Sequence, residues 1–100
     1  MSDEQAEVRK NVEKKRFEVL LGDGEVATLT YAESGDVIAL IHTLVPQAHE
    51  GKGIASTMAR TALEYAKANN LRVAPFCPYV ATYIQRHPEY QPLAIDLGAH

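Results

Sequence analysis

Apolar and polar residues alternate in three segments of the first half of the chain, which is the pattern of β-strands that bury one face. The segments span residues 17–21, 26–32 and 37–45, and the last is apolar on both faces apart from a histidine and a threonine. Glycine-containing turn sequences separate them at 22–24 and 33–36. Because short turns join consecutive strands that run in opposite directions, the pattern predicts an antiparallel meander.

The second half of the chain changes to a helical period. From Lys52 to about Asn69, apolar residues recur at spacings of three and four, which predicts an amphipathic helix. A further strand is predicted from Leu71 to Phe76, and a second helix is predicted to begin at Pro78, a residue suited to the first helical turn. A strand, a helix and a strand in succession predict a right-handed crossover to a parallel neighbour.

Together these elements predict an α/β (α+β) fold, a compact sheet of about four mostly antiparallel strands with two helices. Residues 1–15 mix charges of both signs with few apolar positions and are predicted to form a flexible tail. The domain is expected over residues 16–92, with a C-terminal tail at 93–100. A chain of 100 residues has room for one domain.

The composition argues against several classes of function. The net charge is −3, so no general basic surface is expected and nucleic acid is not an expected partner. No run approaches the ~18 apolar residues of a membrane span, and the polar N-terminus has no secretory signal pattern. The single cysteine, Cys77, has no internal disulfide partner. We therefore expect a cytoplasmic protein, monomeric or weakly dimeric, that holds no metal and does not bind a membrane.

The junction between the third strand and the first helix has the composition of an anion-binding turn. Gly51-Lys52-Gly53 follows the apolar strand and precedes the helical pattern. Glycine lets the backbone approach a ligand closely, and the first N–H groups of a helix lack internal acceptors and lie at the positive end of its dipole. A phosphate or pyrophosphate suits such a site, although a tight turn that only requires glycine explains these residues equally well when they are taken alone.

With this turn placed between a strand and a long helix, the chain resembles the GCN5-related N-acetyltransferases, and among them the small single-domain acetyltransferase-like proteins. The resemblance covers about residues 16–92. Two positions depart from the family pattern: Ala48 stands where glutamine or arginine is usual, and Glu50 stands where an arginine often precedes the first glycine. The segments that carry the resemblance are His42-Thr43, Gly51-Lys52-Gly53-Ile54-Ala55, Cys77-Pro78-Tyr79-Val80 and His87-Pro88-Glu89-Tyr90.

The resemblance implies that acetyl-CoA is the co-substrate and that its acetyl group is transferred to an amine, which the sequence does not identify. In an alternative function, the protein binds CoA or acetyl-CoA without catalysing a reaction and acts as a sensor or interaction partner. The short chain favours this alternative, because it leaves little room for elements that would form an acceptor pocket. The resemblance places pantetheine beside Thr43, Leu44 and Val45, and the pyrophosphate at Gly51, Lys52, Gly53, Ile54 and Ala55.

Two residues are candidates for catalysis. Cys77 directly precedes Pro78 and is expected at the start of the second helix, where the helix dipole favours a thiolate that can accept an acetyl group. His42 is expected on the same strand face as Leu40 and Leu44, and is a candidate general base for the amine. Each has a structural alternative, a buried apolar cysteine at a strand end and a hydrogen-bonded histidine in the core.

Overall fold

A five-stranded sheet and two helices make up the protein, seen in a computed structural model that describes residues 7–95. The helices are α1 (Ile54–Ala68) and α2 (Pro78–Arg86), and short 3-10 helices cover Gln47–His49 and Pro88–Leu93. No helix within residues 7–95 is long and apolar enough to cross a membrane. The strands are β1 (Arg9–Asn11), β2 (Arg16–Leu20), β3 (Val26–Ser34), β4 (Val37–Leu44) and β5 (Arg72–Pro75).

The order of the strands in the sheet follows their order in the chain. Strands β2, β3 and β4 form the predicted antiparallel meander, and β1 adds a further antiparallel strand at its edge. Strand β5 lies parallel to β4, because α1 carries the chain back across the sheet before β5 begins. Asn69 is the C-cap of helix α1, and Asn70 has a left-handed φ of 57°, a conformation that asparagine tolerates at the end of a helix.

One hydrophobic core lies between the sheet and the two helices. The strands contribute every second residue, and we call this side of the sheet the helix face. Burial of each large apolar side chain here contributes about 1.5–3 kcal/mol. The apolar period of two in the strands and of 3.6 in the helices brings these side chains to one interface and so determines the fold. The principal core residues are Phe17, Val19, Ala27, Leu29, Tyr31, Ile38 and Leu40 from the strands, and Ile54, Met58, Ala62, Leu63, Ala66, Val80, Tyr83 and Ile84 from the helices.

A β-bulge in β4 changes which side chains face the helices. The pairing of β4 with β3 shifts so that Ile41 is an extra residue between Leu40 and His42. An extra residue inverts the alternation of side chains beyond it. Thr43 therefore lies on the helix face, whereas His42 and Leu44 lie on the opposite face of the sheet.

The predicted fold class is confirmed, but the sheet has one strand more than the pattern predicted. The additional strand, β1, lies within the segment that was predicted to be a flexible tail. Its residues are polar, so a hydrophobic alternation could not reveal it. They are held instead by polar contacts: Arg9 and Asn11 each lie 3.3 Å from the carboxylate of Glu18, and the Lys10 Nζ donates to the Tyr65 hydroxyl at 3.1 Å.

The predicted C-terminal tail also begins with ordered contacts. Ala94 forms a bridge with Val73 of β5, and the N–H of Ile95 donates to the Val73 carbonyl at 2.8 Å. Leu93 and Ala94 pack against the core. The remaining parts of both predicted tails, residues 1–6 and 96–100, lie outside the described residues.

Candidate functional site

The glycine turn between β4 and α1 has a left-handed backbone at both glycines. The φ angles of Gly51 and Gly53 are 83° and 80°, in a region that L-residues with a side chain rarely adopt. A Cβ at either position would meet no atom within 4 Å. The backbone conformation, and not crowding within the chain, therefore requires glycine here. Gly53 is the N-cap of α1, and the buried side chain of Ile54 anchors the start of the helix in the core.

The start of α1 presents backbone donors that have no protein acceptor. Within residues 7–95, the N–H groups of Gly53, Ile54 and Ala55 make no hydrogen bond to the chain, and no side chain caps the helix. Lys52 is exposed beside them and takes part in none of the ion pairs between described residues. Free N–H groups at the positive end of a helix dipole, next to a lysine, favour the binding of an anion.

A hydrogen bond connects the segment before the glycine turn to the β2–β3 turn. The Nε2 of His49 lies 2.8 Å from the Oδ2 of Asp23. This bond is the main cause that holds the pKa of Asp23 below its usual value, and the N–H of Glu25 acts in the same direction. The contact connects the 3-10 helix at 47–49 to the β2–β3 turn, directly before the glycine turn.

Strands β4 and β5 separate next to the glycine turn. Strand β5 pairs with β4 only as far as Leu40 and ends at Pro75, which has no N–H to donate. The N–H of Cys77 then donates to the Leu40 carbonyl at 2.9 Å. From Ile41 to Leu44, the edge of β4 that faces away from β3 has no paired strand among the described residues. An extended ligand therefore has backbone groups available on this edge, where the family resemblance places pantetheine.

Cys77 lies at this opening and is the N-cap of α2, with Pro78 as the first helical residue. Its predicted place at the start of the second helix is confirmed. The side chain is 3% exposed, and its Sγ lies 3.1 Å from the Oγ1 of Thr43. In the thiolate form the sulfur would accept a hydrogen bond from the Thr43 hydroxyl. The bulge at Ile41 is what places Thr43 on the face where it meets this thiol.

The predicted orientation of His42 is wrong. The sequence placed His42 on the face of Ile38, Leu40 and Leu44, but the bulge separates it from Ile38 and Leu40, and His42 is exposed beside Leu44 on the face opposite to the core. The structure therefore does not bring His42 and Cys77 onto one face of the sheet. Neither belongs to a metal site, because residues 7–95 contain no group of three or more histidine, cysteine, aspartate or glutamate side chains placed to hold an ion.

A pocket between the two helices was not foreseen from the sequence. Its volume is about 190 Å³. It adjoins the first turn of α1, immediately after the glycine turn, and runs along one side of α2. Its α2 residues recur at helical spacing, which was the available signal. The lining residues are Ser56, Tyr79, Thr82, Tyr83, Arg86 and His87.

Comparison with protein families agrees with this arrangement of strand, glycine turn and helix. A family model described as GCN5-related N-acetyl-transferase matches residues 16–93. The chain belongs to the GCN5-related N-acetyltransferase family. The matched region begins with β2 and ends with the second 3-10 helix, so it contains the glycine turn, Cys77 and His42.

Relatives support the same assignment, and a solved structure supports the fold. The chain is 33% identical to mouse Protein NATD1 over 78 residues, which is 76% of this chain and 71% of the relative. It is 34% identical to human Protein NATD1 over 77 residues, covering 75% and 68% of the two chains. The NMR structure of a GCN5-like protein from Staphylococcus aureus superposes with a TM-score of 0.67 at 20% identity, covering 98% of this chain and 96% of that one. At that identity the structure supports the fold alone.

Proposed function

We propose that the protein binds acetyl-CoA and transfers its acetyl group to an amine. The observation that carries this proposal is the group of free N–H donors at Gly53, Ile54 and Ala55, placed beside the opening between β4 and β5. The pyrophosphate of CoA would accept hydrogen bonds from these groups, with Lys52 as a nearby cation. Pantetheine would run along the unpaired edge of β4 at Thr43, Leu44 and Val45, towards Cys77. Family membership supports this use of the turn.

Two routes for the acetyl group are compatible with the site. In the first, the amine attacks the thioester carbonyl directly, the C–S bond breaks, and CoA leaves as its thiol after taking up a proton. His42 would then remove a proton from the amine only if the acceptor approaches from the face opposite to the core. In the second, the Cys77 thiolate attacks the carbonyl, CoA leaves, and the amine then displaces the cysteine sulfur to give the amide and regenerate the thiol.

The surroundings of Cys77 favour direct attack over the relay. Cys77 is buried, so its sulfur is accessible only if the bound thioester reaches into the opening. The Thr43 hydroxyl can stabilise either a thiolate on Cys77 or the departing sulfur of CoA by donating a hydrogen bond. The relay remains chemically possible, because Cys77 has the dipole of α2 directed at it.

The alternative function, a CoA-binding protein without catalysis, is favoured by a specific observation. The two candidate catalytic side chains, Cys77 and His42, lie on different faces of the sheet. Binding at the glycine turn needs neither of them. A sensor or interaction partner would therefore retain the anion site and the unpaired strand edge, and would show no turnover with any amine.

Titration with acetyl-CoA, followed by a CoA-release assay with a panel of amines, tests the proposal. We expect saturable binding and amine-dependent release of free CoA. Binding without release would support the alternative, and absence of binding would overturn both. Intact-mass measurement of wild type and Cys77→Ser after exposure to acetyl-CoA separates the two routes. The relay requires one added acetyl group on wild type that the variant lacks, whereas direct attack predicts no difference.

Two further properties belong to the same proposal. The free thiol of Cys77 suits a reducing, cytoplasmic compartment. A monomer or weak homodimer is proposed as the working form, and the first 3-10 helix and glycine turn would remain accessible in either. Sedimentation of the purified protein with and without CoA checks the last point.

A further inference from the structure

The side of the sheet opposite to the helix face, which we call the open face, carries ordered rows of side chains. Both α-helices pack on the helix face, so no α-helix within residues 7–95 covers the open face. Residues opposite each other on neighbouring strands point to the same side of a sheet and therefore form rows across it. One row consists of Arg9, Glu18, Thr28 and Leu44, and the next consists of Asn11, Arg16, Thr30 and His42.

Apolar side chains are exposed at one end of the open face. Leu20 is 62% exposed and Leu44 is 55% exposed, although leucine is usually buried in a folded domain. Val26 lies directly opposite Leu20, and Leu44 lies on the next strand, diagonal to Val26. These three residues form what we call the apolar patch, which crosses β2, β3 and β4. Contiguous exposed apolar side chains of this kind indicate a surface that contacts another molecule.

Two arginines beside the apolar patch share one carboxylate. The Nε of Arg16 donates to one oxygen of Glu18 at 2.8 Å, and a terminal nitrogen of Arg9 donates to the other oxygen at 3.3 Å. Within residues 7–95, neither guanidinium has a second acidic partner, so their remaining N–H groups are available to a ligand. One carboxylate balances one of the two charges, so this cluster is positive in a protein whose net charge is −3.

The buried carboxylate fixes the position of both arginines. Glu18 is buried, and a buried ion pair usually adds no more stability than apolar packing of the same volume. Its specific effect is to hold two planar guanidiniums at one place on the open face. Guanidiniums held in this way can bind a further carboxylate with little additional loss of side-chain entropy.

A buried hydroxyl lies between the arginines and the apolar patch. Thr28 is directly opposite Glu18 on one neighbouring strand and directly opposite Leu44 on the other. Thr28 is 8% exposed, and its hydroxyl forms no hydrogen bond with another group of the part of the chain that the structure describes. Buried polar groups without a partner are uncommon in proteins, and a polar ligand on the open face would supply one.

The charges around the open face favour an acidic peptide over other anionic partners. Binding of nucleic acid depends on neutralising many phosphates, whereas the arginine cluster has one uncompensated charge. An anionic membrane would have to approach Asp23 and Glu25, whose carboxylates belong to the turn that joins Leu20 to Val26. An acidic peptide needs only one or two cations, and it can place an apolar side chain on the apolar patch.

The spacing of the arginines and the apolar patch matches alternate residues of an extended peptide. Both guanidiniums contact Glu18, which lies two residues from Leu20 along β2. Two residues of extended chain span ~6.8 Å and place their side chains on the same side. From this arrangement we infer that the open face is a docking surface for an acidic segment of a partner protein. A leucine of that segment packs on the apolar patch, and a glutamate two residues away binds Arg9 and Arg16.

Calorimetric titration with a capped peptide, Gly-Leu-Ser-Glu-Ser-Glu-Gly, tests the inference. We expect saturable binding that is about tenfold tighter than binding of the same peptide with glutamine in place of both glutamates, as for one charge-assisted contact at an exposed site. Arg9→Gln should remove this preference by weakening the binding of the glutamate peptide alone. The variant retains the contact between Arg16 and Glu18, so its fold is kept.

Two further variants separate the parts of the surface. Leu20→Ser should weaken the binding of both peptides by about fivefold, because it removes part of the apolar patch. Arg60→Gln is the matched control for Arg9→Gln, since Arg60 is an exposed arginine on α1, which packs on the helix face. It should keep the full preference for the glutamate peptide.

Absence of saturable binding, equal affinity of wild type for the two peptides, or an equal loss in Arg9→Gln and Arg60→Gln would each overturn the inference. Tighter binding of phosphatidylserine vesicles than of the glutamate peptide would overturn it in favour of a membrane surface. In an NMR titration with the glutamate peptide, we expect the amide signals of Thr28 and Leu44 to shift, and shifts confined to the helices would contradict the docking. None of these titrations contains CoA, so their outcome is independent of the proposed function.

Discussion

The charged side chain of Glu18 is buried, whereas a glutamate is usually exposed to solvent. It is 3% exposed, although it carries a carboxylate on a strand of a small domain. The Nε of Arg16 donates to it at 2.8 Å, and Arg9 and Asn11 donate at 3.3 Å. The Arg16 hydrogen bond is the largest cause that lowers the pKa of Glu18, against the opposing effect of burial. A buried carboxylate is tolerated here because three neighbours satisfy it.

We predict that Glu18→Gln lowers the free energy of unfolding at pH 7 by about 1.5–3 kcal/mol, the worth of hydrogen bonds to a charged group. The folded-state pKa lies below the unfolded one, so the charge stabilises the fold above the unfolded pKa. This stability is lost as the pH falls through the folded pKa. Urea unfolding at pH 7 and at pH 3 should therefore show a smaller difference between wild type and variant at the lower pH.

Glu13→Gln is the control for that experiment. Glu13 is exposed in the β1–β2 turn and takes part in none of the ion pairs between described residues, so its replacement should change stability by less than ~0.5 kcal/mol. An equal loss of stability in both variants would show that the cluster around Glu18 contributes nothing specific.

The contact between Thr43 and Cys77 gives a second prediction at the scale of residues. Thr43→Val keeps the shape of the side chain but removes the hydroxyl that lies 3.1 Å from the sulfur. We expect alkylation of Cys77 by iodoacetamide in the folded protein to slow by about threefold to tenfold, because the thiolate loses a donor. Thr30→Val, which changes a threonine on the opposite face of the neighbouring strand, should leave the rate unchanged. A faster reaction in Thr43→Val would instead mean that the threonine only shields the sulfur.

At the scale of elements, the glycine turn tests whether the start of α1 is a ligand site. Gly53→Ala forces a side chain into a left-handed conformation, which costs about 1–2 kcal/mol of stability, and it disturbs the orientation of the free N–H groups. We predict that the variant loses about 1–2 kcal/mol of stability and that its affinity for CoA falls at least fivefold.

Gly35→Ala separates those two effects. Gly35 also has a positive φ, of 60°, and lies in the β3–β4 turn at the start of β4, away from the glycine turn. It should lose stability similarly and keep its CoA affinity. If both variants bind CoA as wild type does, the N-terminus of α1 is not the pyrophosphate site.

At the scale of the whole molecule, Lys10 connects the first strand to the second half of the chain. Its Nζ lies 3.1 Å from the Tyr65 hydroxyl and 3.7 Å from the Glu33 carboxylate, and 5.1 Å from the centre of the Tyr31 ring. We predict that Lys10→Gln lowers stability by about 1 kcal/mol, or about 4–8 °C in Tm for a domain of this size. Calorimetric scans should show no such shift for Lys14→Gln, since Lys14 is exposed. Equal Tm values for wild type and Lys10→Gln would mean that β1 is held by its backbone alone.

The sequence by itself determined the elements whose side chains repeat with a regular period. Local rules of burial and backbone geometry predict three strands, one long helix and a strand end. Each is present in the structure: the strands at Phe17, Val26 and Val37, the helix before Asn69 and the strand end at Pro75. The glycine turn also followed from local rules, because glycines between a strand pattern and a helical pattern indicate a turn wherever they occur.

Tertiary structure alone decided the features that depend on pairing between distant residues. Strand β1 is polar, and it forms because it pairs with β2 and because Asn11 donates a hydrogen bond to the Glu18 carboxylate. The bulge at Ile41 is a property of the pairing between β3 and β4, and a shift of one residue reverses every later side chain, which is why the face of His42 was mispredicted. The pocket between the two helices likewise arises from the packing of α2 beside α1. The periodicity of one helix does not reveal which element packs next to it.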